Sequence, residues 1–166
     1  MTTPTPWPAA PRRMTEVTGA EALWLLGGAA RGRLVHARRE QILVRPAVHV
    51  LAYGRLVVRA PVQADALTGR PTLTYHADEI STGAVAGAGV GPEAGAGPEA
   101  GAGVGAGAGA GWSVTVTGPA EPVDDAAEAA HYRRTLPGWT YGPHDTLLRI
   151  TPQTVTGYRL GAAATP

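Results

Sequence analysis

Apolar and polar residues alternate with a period of two over much of the chain, and this alternation predicts β-strands that bury one face. The clearest case is "WSVTVTG" at 112–118, where Trp112, Val114 and Val116 share one face and hydroxyl side chains share the other. Strand patterns also occur at 32–38, 41–52, 55–60, 71–78, 145–152 and 154–160. Because short connections favour antiparallel pairing, we expect about seven short antiparallel strands.

Two helices interrupt the strands. The stretch "TGAE" matches a capping box, in which the Thr18 hydroxyl accepts from the backbone N–H of Glu21 and the Glu21 carboxylate reaches back. A second short helix is predicted through "DDAAEAAHYRR", with Asp124 or Asp125 as its cap. The fold class expected from these elements is mainly β with two or three short helices. Strands this close in sequence favour a small antiparallel barrel over a doubly wound α/β sheet.

A Gly/Ala-rich tract from 83 to 111 separates the two halves of the strand pattern. Its glycines all fall on odd positions, which excludes the G-x-G-x-x-G turn, and the absence of Lys from the chain excludes a Walker A loop. The unit "GPEAGA" occurs twice in succession, at 91–96 and 97–102. With few apolar side chains to offset the entropy cost of ordering, the tract is predicted to be a flexible, disordered insertion. A dedicated interaction segment is the alternative.

The length of 166 residues suits one domain, which we place at 14–160, with disordered tails at 1–13 and 161–166. All 14 basic residues are Arg and are scattered, and the net charge is +1, so neither nucleic acid nor an anionic membrane is an expected partner. The absence of Cys excludes disulfides and thiol catalysis. No apolar run has the length of a membrane helix or a signal peptide, and we expect a cytoplasmic protein.

The histidines do not form a metal-binding pattern. His76 and Asp78 would share one face of a strand, but two ligands are too few and no third has a defined spacing. His144 and Asp145 could form an orienting pair, yet no nucleophile motif accompanies them. We therefore predict neither a metal site nor a hydrolase.

Several segments together resemble one known family. They are "LWLL" at the end of the first helix, "GRL" at the next strand, and the stretches at 45–61, 111–125 and 136–160. In this order they are similar to the pyridoxamine 5′-phosphate oxidase-like family of flavin-binding split β-barrels, in its short actinobacterial form. The resemblance covers roughly 14–160 apart from the tract, which would be an insertion into the short turn before "GWSV".

The resemblance implies a homodimer that holds flavin mononucleotide (FMN), or the deazaflavin F420, between its subunits. It implies an oxidoreductase of unknown substrate, in which the cofactor carries the redox chemistry, so we name no catalytic residue. The alternative is a non-catalytic split-barrel dimer that has lost its cofactor and acts as a binding or stress-related module.

The resemblance also implies which residues hold the phosphate. Arg59 occupies the position of an arginine at the end of the third strand, followed by Ala60, Pro61 and Gln63 in the turn. A guanidinium is suited to phosphate because it forms charge-assisted, bidentate hydrogen bonds. The Lys that relatives carry in this turn is missing here, and Asp65 stands nearby. A solvated arginine at the strand end is the alternative for Arg59.

The isoalloxazine ring requires a flat apolar wall. Trp112 and Trp139 are the candidates for this wall or for a dimer contact, and a core role is the alternative for both. Val48 stands where relatives carry an Asn that faces the ring. His49 follows it, but alternation along a strand places these two side chains on opposite faces, so His49 does not replace that Asn.

Overall fold

Eight antiparallel strands, two α-helices and a 3₁₀ turn make up the part of the chain that the computed structural model describes, which is residues 12–80, 110–139 and 145–162. In chain order they are β1 (Arg12–Val17), α1 (Gly19–Gly28), β2 (Arg31–Arg38), β3 (Gln41–Ala52), β4 (Arg55–Ala60), the 3₁₀ turn (Ala64–Leu67), β5 (Thr72–Ile80), β6 (Gly111–Pro122), α2 (Ala126–Thr135), β7 (Thr146–Ile150) and β8 (Thr154–Ala162).

The strands form one sheet in the order β1-β8-β6-β5-β2-β3-β4-β7. The sheet closes because β6 uses one edge for two partners: Gly111–Thr117 pairs with β8, and Ala120–Pro122 pairs with β7. The other edge of β6 pairs with β5. Six strands from β6 round to β7 therefore make a closed barrel, with β8 and β1 as an extension, which confirms the predicted split barrel.

Two tight hairpins set the register of β2, β3 and β4. Arg39 and Glu40 connect β2 to β3 with φ of 46° and 65°, and Tyr53 and Gly54 connect β3 to β4 with φ of 51° and 73°. Positive φ at both central residues is what type I′ turns require, and the twist of these turns matches that of the strands. Three of these four residues are not glycine, so the strand pairing on either side holds them in this conformation.

Two apolar clusters cover the two faces of the barrel wall. The inner cluster includes Leu26 from α1 with Leu34, Leu56, Val58, Tyr75, Val116, Leu148 and Ile150 from the strands. The outer cluster lies beneath α2 and contains Val48, Val57, Val123, Ala129, Tyr132, Leu136 and Leu147. Because β3 and β4 are buried on both faces in this region, their sequences contain continuous apolar runs.

Both helix starts are capped by the predicted side chains. Thr18 Oγ1 accepts from the backbone N–H of Glu21 at 3.2 Å, while the Glu21 carboxylate accepts from Arg159 Nε at 2.6 Å. Asp125, rather than Asp124, caps α2 and accepts from the backbone N–H of Glu128 at 2.7 Å. Each helix has ten residues, and no helix in the described ranges is long and apolar enough to cross a membrane.

The structure differs from the predicted boundaries at β1. This strand includes Arg12 and Arg13, which we had assigned to the disordered tail, and it pairs with β8 along its whole length. Its sequence "RRMTEV" has an almost fully exposed burial pattern, so backbone hydrogen bonds hold the strand and no apolar periodicity marks it. This is why seven strands were predicted, whereas the described residues contain eight.

Two further boundaries move by one or two residues. β8 continues to Ala162, beyond the predicted domain end at 160, and β6 begins at Gly111, the last residue of the predicted insertion. The remainder of the insertion at 83–109, together with 1–11 and 163–166, lies outside the described residues.

Gly157 on β8 marks a close approach between α1 and the sheet. A Cβ at this position would lie 2.6 Å from Ala22 Cβ and 2.9 Å from Val17 Cγ2. We therefore expect Gly157→Ala to lower the free energy of unfolding by about 1–3 kcal/mol, measured by urea denaturation. Gly161→Ala on the same strand is the matched control, because no atom lies within 4 Å of its added Cβ. Equal stability of the two variants would contradict this close approach.

Candidate functional site

A groove of about 670 Å³ lies between the end of α1 and the segment that follows α2. We call it the main groove. Its walls are residues 27–31, 48–50 and 135–139. It brings together two of the predicted site residues, Val48 and Trp139, on a mostly apolar surface. Its volume lies in the range of sites that bind small molecules and cofactors.

Trp139 is held at the groove by its polar edge. The indole Nε1–H donates to the backbone carbonyl of Arg59 at 3.2 Å, and the ring packs against the outer cluster beneath α2. Val48 lies directly opposite Arg59 in the pairing of β3 with β4. The wall made by Val48 and Trp139 is therefore positioned by the end of β4.

Arg59 itself is engaged within the protein. Its Nε and Nη2 donate to the two carboxylate oxygens of Asp145 at 2.9 and 2.5 Å, and its Nη1 donates to the carbonyls of Leu136 and Arg133 at 2.6 and 3.2 Å. Only 12% of the Arg59 side chain is exposed. The guanidinium thus fastens the end of α2 to the start of β7. Asp145 is the partner that sequence reasoning missed, and His144, with which it had been paired, lies outside the described residues.

The remaining residues of the predicted phosphate turn lie in different parts of the structure. Ala60 is fully buried in the barrel interior. Pro61 and Gln63 line a pocket of about 200 Å³ whose other walls include Arg38 and Arg45. We call this the basic pocket.

The basic pocket concentrates positive charge at one end of the barrel. Arg38 and Arg45 flank His36, which is 8% exposed. Burial lowers the pKa of His36 below its ordinary value, and the positive charges of Arg45 and then Arg38 lower it further. Asp65 pairs with Arg38 at 3.5 Å on the exposed side. The pocket therefore has room and charge for a small anion.

Sequence reasoning did not find the basic pocket. Its residues come from alternate positions of β2 and β3, where His36 is opposite Leu43 and Leu34 is opposite Arg45. The two-residue turn between these strands was the available signal, because together with alternation it places His36, Arg38 and Arg45 on the same face of the hairpin.

His49 lies on the opposite side of β3 from Val48, as alternation predicted. Its Nε2–H donates to the carbonyl of Leu26 at 2.9 Å, and its Nδ1 is 2.6 Å from the Tyr75 hydroxyl. Since a carbonyl can only accept, Nε2 carries the proton and Nδ1 accepts from Tyr75. Burial lowers the pKa of His49, partly offset by its hydrogen bond to Leu26, and burial raises the pKa of Tyr75. This neutral imidazole ties the end of α1, and with it one wall of the main groove, to the barrel.

Trp112 is not part of the main groove within one chain. It lines a separate cavity of about 530 Å³ together with Trp24, Leu25 and Glu79, which we call the aromatic groove. The two grooves share Gly27 and Gly28 at the end of α1, so they lie on either side of that segment.

The pair His76 and Asp78 takes part in a surface network. His76 Nε2 lies 3.4 Å from Asp78 Oδ1, and its Nδ1 lies 3.0 Å from the Thr115 hydroxyl. Asp78 also accepts from Arg33 at 2.5 Å. Residues of the neighbouring strands β2 and β6 therefore already bind the polar atoms of this pair.

Comparison with known proteins identifies the relatives of this fold. No protein-family model matches the chain. The uncharacterized protein Rv0080 of Mycobacterium tuberculosis is 32% identical over 156 residues, covering 93% of this chain and 91% of that protein. A solved structure of a Corynebacterium glutamicum protein, assigned as a pyridoxamine 5′-phosphate oxidase, superposes with a TM-score of 0.62 at 20% identity over 92% of this chain and 96% of its own. This chain belongs to one family with Rv0080, and its fold is a split barrel like that of the Corynebacterium glutamicum protein.

Flavin-binding proteins share the split-barrel fold. A FAD-binding protein of Mycobacterium smegmatis superposes with a TM-score of 0.57 at 22% identity, covering 87% of this chain and 98% of its own. A FAD-binding protein of Mesorhizobium loti gives 0.59 at 16% identity, covering 91% and 99%. At these identities the superpositions establish the fold of the split barrel, and its site has to be argued from its own residues.

Because Arg59 binds Asp145 and the end of α2, we expect its replacement to destabilise the fold strongly. Arg59→Gln leaves the partly buried Asp145 without its bidentate partner, and we expect the free energy of unfolding to fall by about 2–4 kcal/mol. Arg33→Gln is the control, because 55% of the Arg33 side chain that pairs with Asp78 is exposed. That variant should lose less than about 1 kcal/mol in the same denaturation experiment. Similar losses for both variants would contradict a structural role for Arg59.

The lowered pKa of His49 predicts a loss of stability at mildly acidic pH. Below its ordinary value of 6.5 the unfolded chain binds a proton that folded His49 does not, so the free energy of unfolding should fall as the pH drops from 7.5 to below 6.5. The fall due to His49 ends once the pH passes below its folded pKa.

Urea denaturation between pH 7.5 and 5.5 measures this slope. His49→Gln, which can keep a donor near Leu26, should have a smaller slope than the wild type. His36→Gln is measured beside it, because the pKa of His36 is shifted in the same direction. A wild-type slope in His49→Gln would contradict the assignment.

Proposed function

We propose that this protein binds a flavin or deazaflavin, with the ring in the main groove and the phosphate in the basic pocket, and acts as an oxidoreductase. The observation that carries the proposal is that β3 contributes to an apolar groove through Val48 on one face and to a cationic pocket through Arg45 on the other. The FAD-binding proteins that share its fold support the same class of ligand.

The main groove suits an aromatic ring. Val48 and Trp139 offer a flat apolar wall, and the hydrogen bond from Trp139 to Arg59 fixes the orientation of the indole. The end of α1 supplies backbone polar groups from a segment of small residues, which lets a ligand approach the main chain closely.

The basic pocket suits the phosphate. Arg45 precedes Val48 by three residues on β3, so their Cα atoms are roughly 10 Å apart and their side chains project from opposite faces of the strand. β4 pairs with β3 at Val48–Ala52 and ends at Ala60, so the preceding part of β3 has no β4 partner along that edge. A ligand that occupied both sites would have to pass round this edge beside Pro61, Val62 and Gln63, which line the basic pocket. No ion pair involving Arg45 occurs within the described ranges, which leaves its guanidinium available for phosphate.

This arrangement moves the phosphate from Arg59, where the resemblance put it, to Arg38 and Arg45, while Pro61 and Gln63 keep their place beside it. FMN and F420 both carry a phosphate beyond a ribityl chain, so the pocket is compatible with either.

The bound flavin would supply hydride or electron transfer, and the protein would supply orientation and shelter from water. Val48 and Trp139 would cover the ring, while Arg45 would anchor the phosphate. Both ring nitrogens of His49 are occupied by Tyr75 and Leu26, so His49 maintains the wall and is not available as an acid or base.

We further propose that two copies of the chain associate as a homodimer, with the cofactor at the subunit interface. On the outer face of β3, Ile42, Val44 and Val50 are 74%, 50% and 36% exposed, and Val50 lines the main groove. This apolar strip leads into the main groove, and a second subunit that packed on it would bury both.

The phosphate assignment is tested by comparing FMN with riboflavin, which lacks the phosphate. We expect Arg45→Gln to weaken FMN binding about tenfold or more and to leave riboflavin binding unchanged, measured by flavin fluorescence titration. Trp139→Leu should weaken both ligands. Arg13→Gln, an exposed arginine on β1, is the control and should bind both as the wild type does.

Equal weakening of FMN and riboflavin by Arg45→Gln would contradict the phosphate assignment. FAD and F420 are titrated in parallel to identify the cofactor. If none of these ligands binds, the chain is a split-barrel dimer without cofactor, as the pairing of Asp65 with Arg38 and the engagement of Arg59 would then explain.

The dimer is tested by charge substitution on the exposed strip. Ile42→Asp combined with Val44→Asp should convert dimer to monomer in sedimentation velocity, because burying two unpaired carboxylates is costly. Tyr53→Asp is the control, since Tyr53 is fully exposed at the β3–β4 turn. A monomeric wild type at micromolar concentration would contradict the proposal.

A further inference from the structure

The aromatic groove combines two indole rings with one carboxylate. Glu79 on β5 and Trp112 on β6 are direct cross-strand partners, so their side chains lie side by side on one face of the sheet. Trp24 enters the same cavity from α1. The helix and the sheet thus each contribute an indole to the lining of a space of about 530 Å³, and the sheet also contributes a carboxylate.

Two of these residues lack interaction partners within the described structure. Trp24 is 72% exposed, although tryptophan is on average a highly buried residue. Glu79 makes no ion pair with any residue that the structure describes, as is also true of Glu16 and Glu40, whereas Glu21, Glu121 and Glu128 bind arginines. A helix ring and a strand carboxylate are therefore both left without partners at the same cavity.

The lining determines the sign of charge that the groove prefers. The faces of indole rings carry the negative part of their quadrupole, and among the described residues of the lining Glu79 is the only ionisable one. The two indoles and Glu79 attract a cation, and none of the described lining side chains would neutralise an anion. A metal ion is a poor match, because one carboxylate is too few ligands and indoles offer none.

We propose that the aromatic groove binds a small organic cation carrying an alkylated ammonium group, seated between Trp24 and Trp112 and paired with Glu79. An alkylated ammonium group is weakly hydrated and presents methyl groups that pack on indole faces. The cation would lie beside the main groove, from which Gly27 and Gly28 separate it. The inference goes beyond flavin binding and does not depend on it.

The test is a titration of the full chain with choline, followed through the indole N–H resonances in ¹H–¹⁵N spectra. The neutral isostere 3,3-dimethylbutan-1-ol is titrated in parallel, and sodium chloride holds the ionic strength constant. We expect choline to shift the resonances of Trp24 and Trp112 in a saturable way at millimolar concentration, while that of Trp139 stays in place. The neutral isostere should bind at least about threefold more weakly.

Two variants distinguish the contribution of the Glu79 charge to choline binding from that of the indole contacts. Glu79→Gln should weaken choline binding about threefold to fivefold and leave binding of the isostere unchanged. Trp24→Leu should weaken both ligands, and because Trp24 is exposed the fold should be kept. Glu40→Gln is the matched control, since Glu40 lies at the β2–β3 turn, at the end of β2 away from Glu79, and it should bind choline as the wild type does.

Three results would overturn the inference. One is equal affinity for choline and its neutral isostere. Another is the absence of saturable shifts up to roughly 100 mM choline. The third is an altered sedimentation coefficient in Trp24→Leu together with no choline-dependent shift in the wild type, because the groove would then be a contact between subunits.

Discussion

The bidentate pair between Arg59 and Asp145 holds together the face of this protein that contains the main groove. Through it the end of β4 is joined to the start of β7, and the second arm of the same guanidinium binds the carbonyls at the end of α2. The backbone of Arg59 also accepts from Trp139. One residue thus fixes the helix end and the aromatic wall of the main groove, and its near-complete burial makes these contacts less sensitive to screening than a surface pair.

The opposite wall of the main groove depends on a second buried contact. His49 accepts from Tyr75 within the barrel and donates to Leu26 at the end of α1. The neutral imidazole satisfies both of its nitrogens without charge, which a site enclosed by apolar side chains requires. The two walls of the groove are therefore held by different chemistry: an ion pair on the α2 side and a neutral hydrogen-bond chain on the α1 side.

The three cavities around β3 and α1 differ in the charge of their lining residues. The basic pocket has two arginines around a histidine, the main groove is largely apolar, and the aromatic groove has a single carboxylate between two indoles. Ligand groups of opposite charge would therefore be directed to different ends of the site. The net charge of the whole chain is only +1, so its electrostatic character lies in this local separation of charge.

The sequence by itself determined the local elements, because alternation, caps and tight turns act between neighbouring residues. Strands β2 to β8, the cap at Thr18 and the opposite orientations of Val48 and His49 follow from such short-range patterns. Only the tertiary structure decided the pairing of β1, whose exposed side chains leave backbone hydrogen bonds to β8 as its support. It also decided the partner of Arg59, which lies 86 residues away, and the meeting of Glu79 with Trp112 across the Gly/Ala-rich tract. Charged side chains find such partners through the register of distant strands, and that register depends on the closure of the whole barrel.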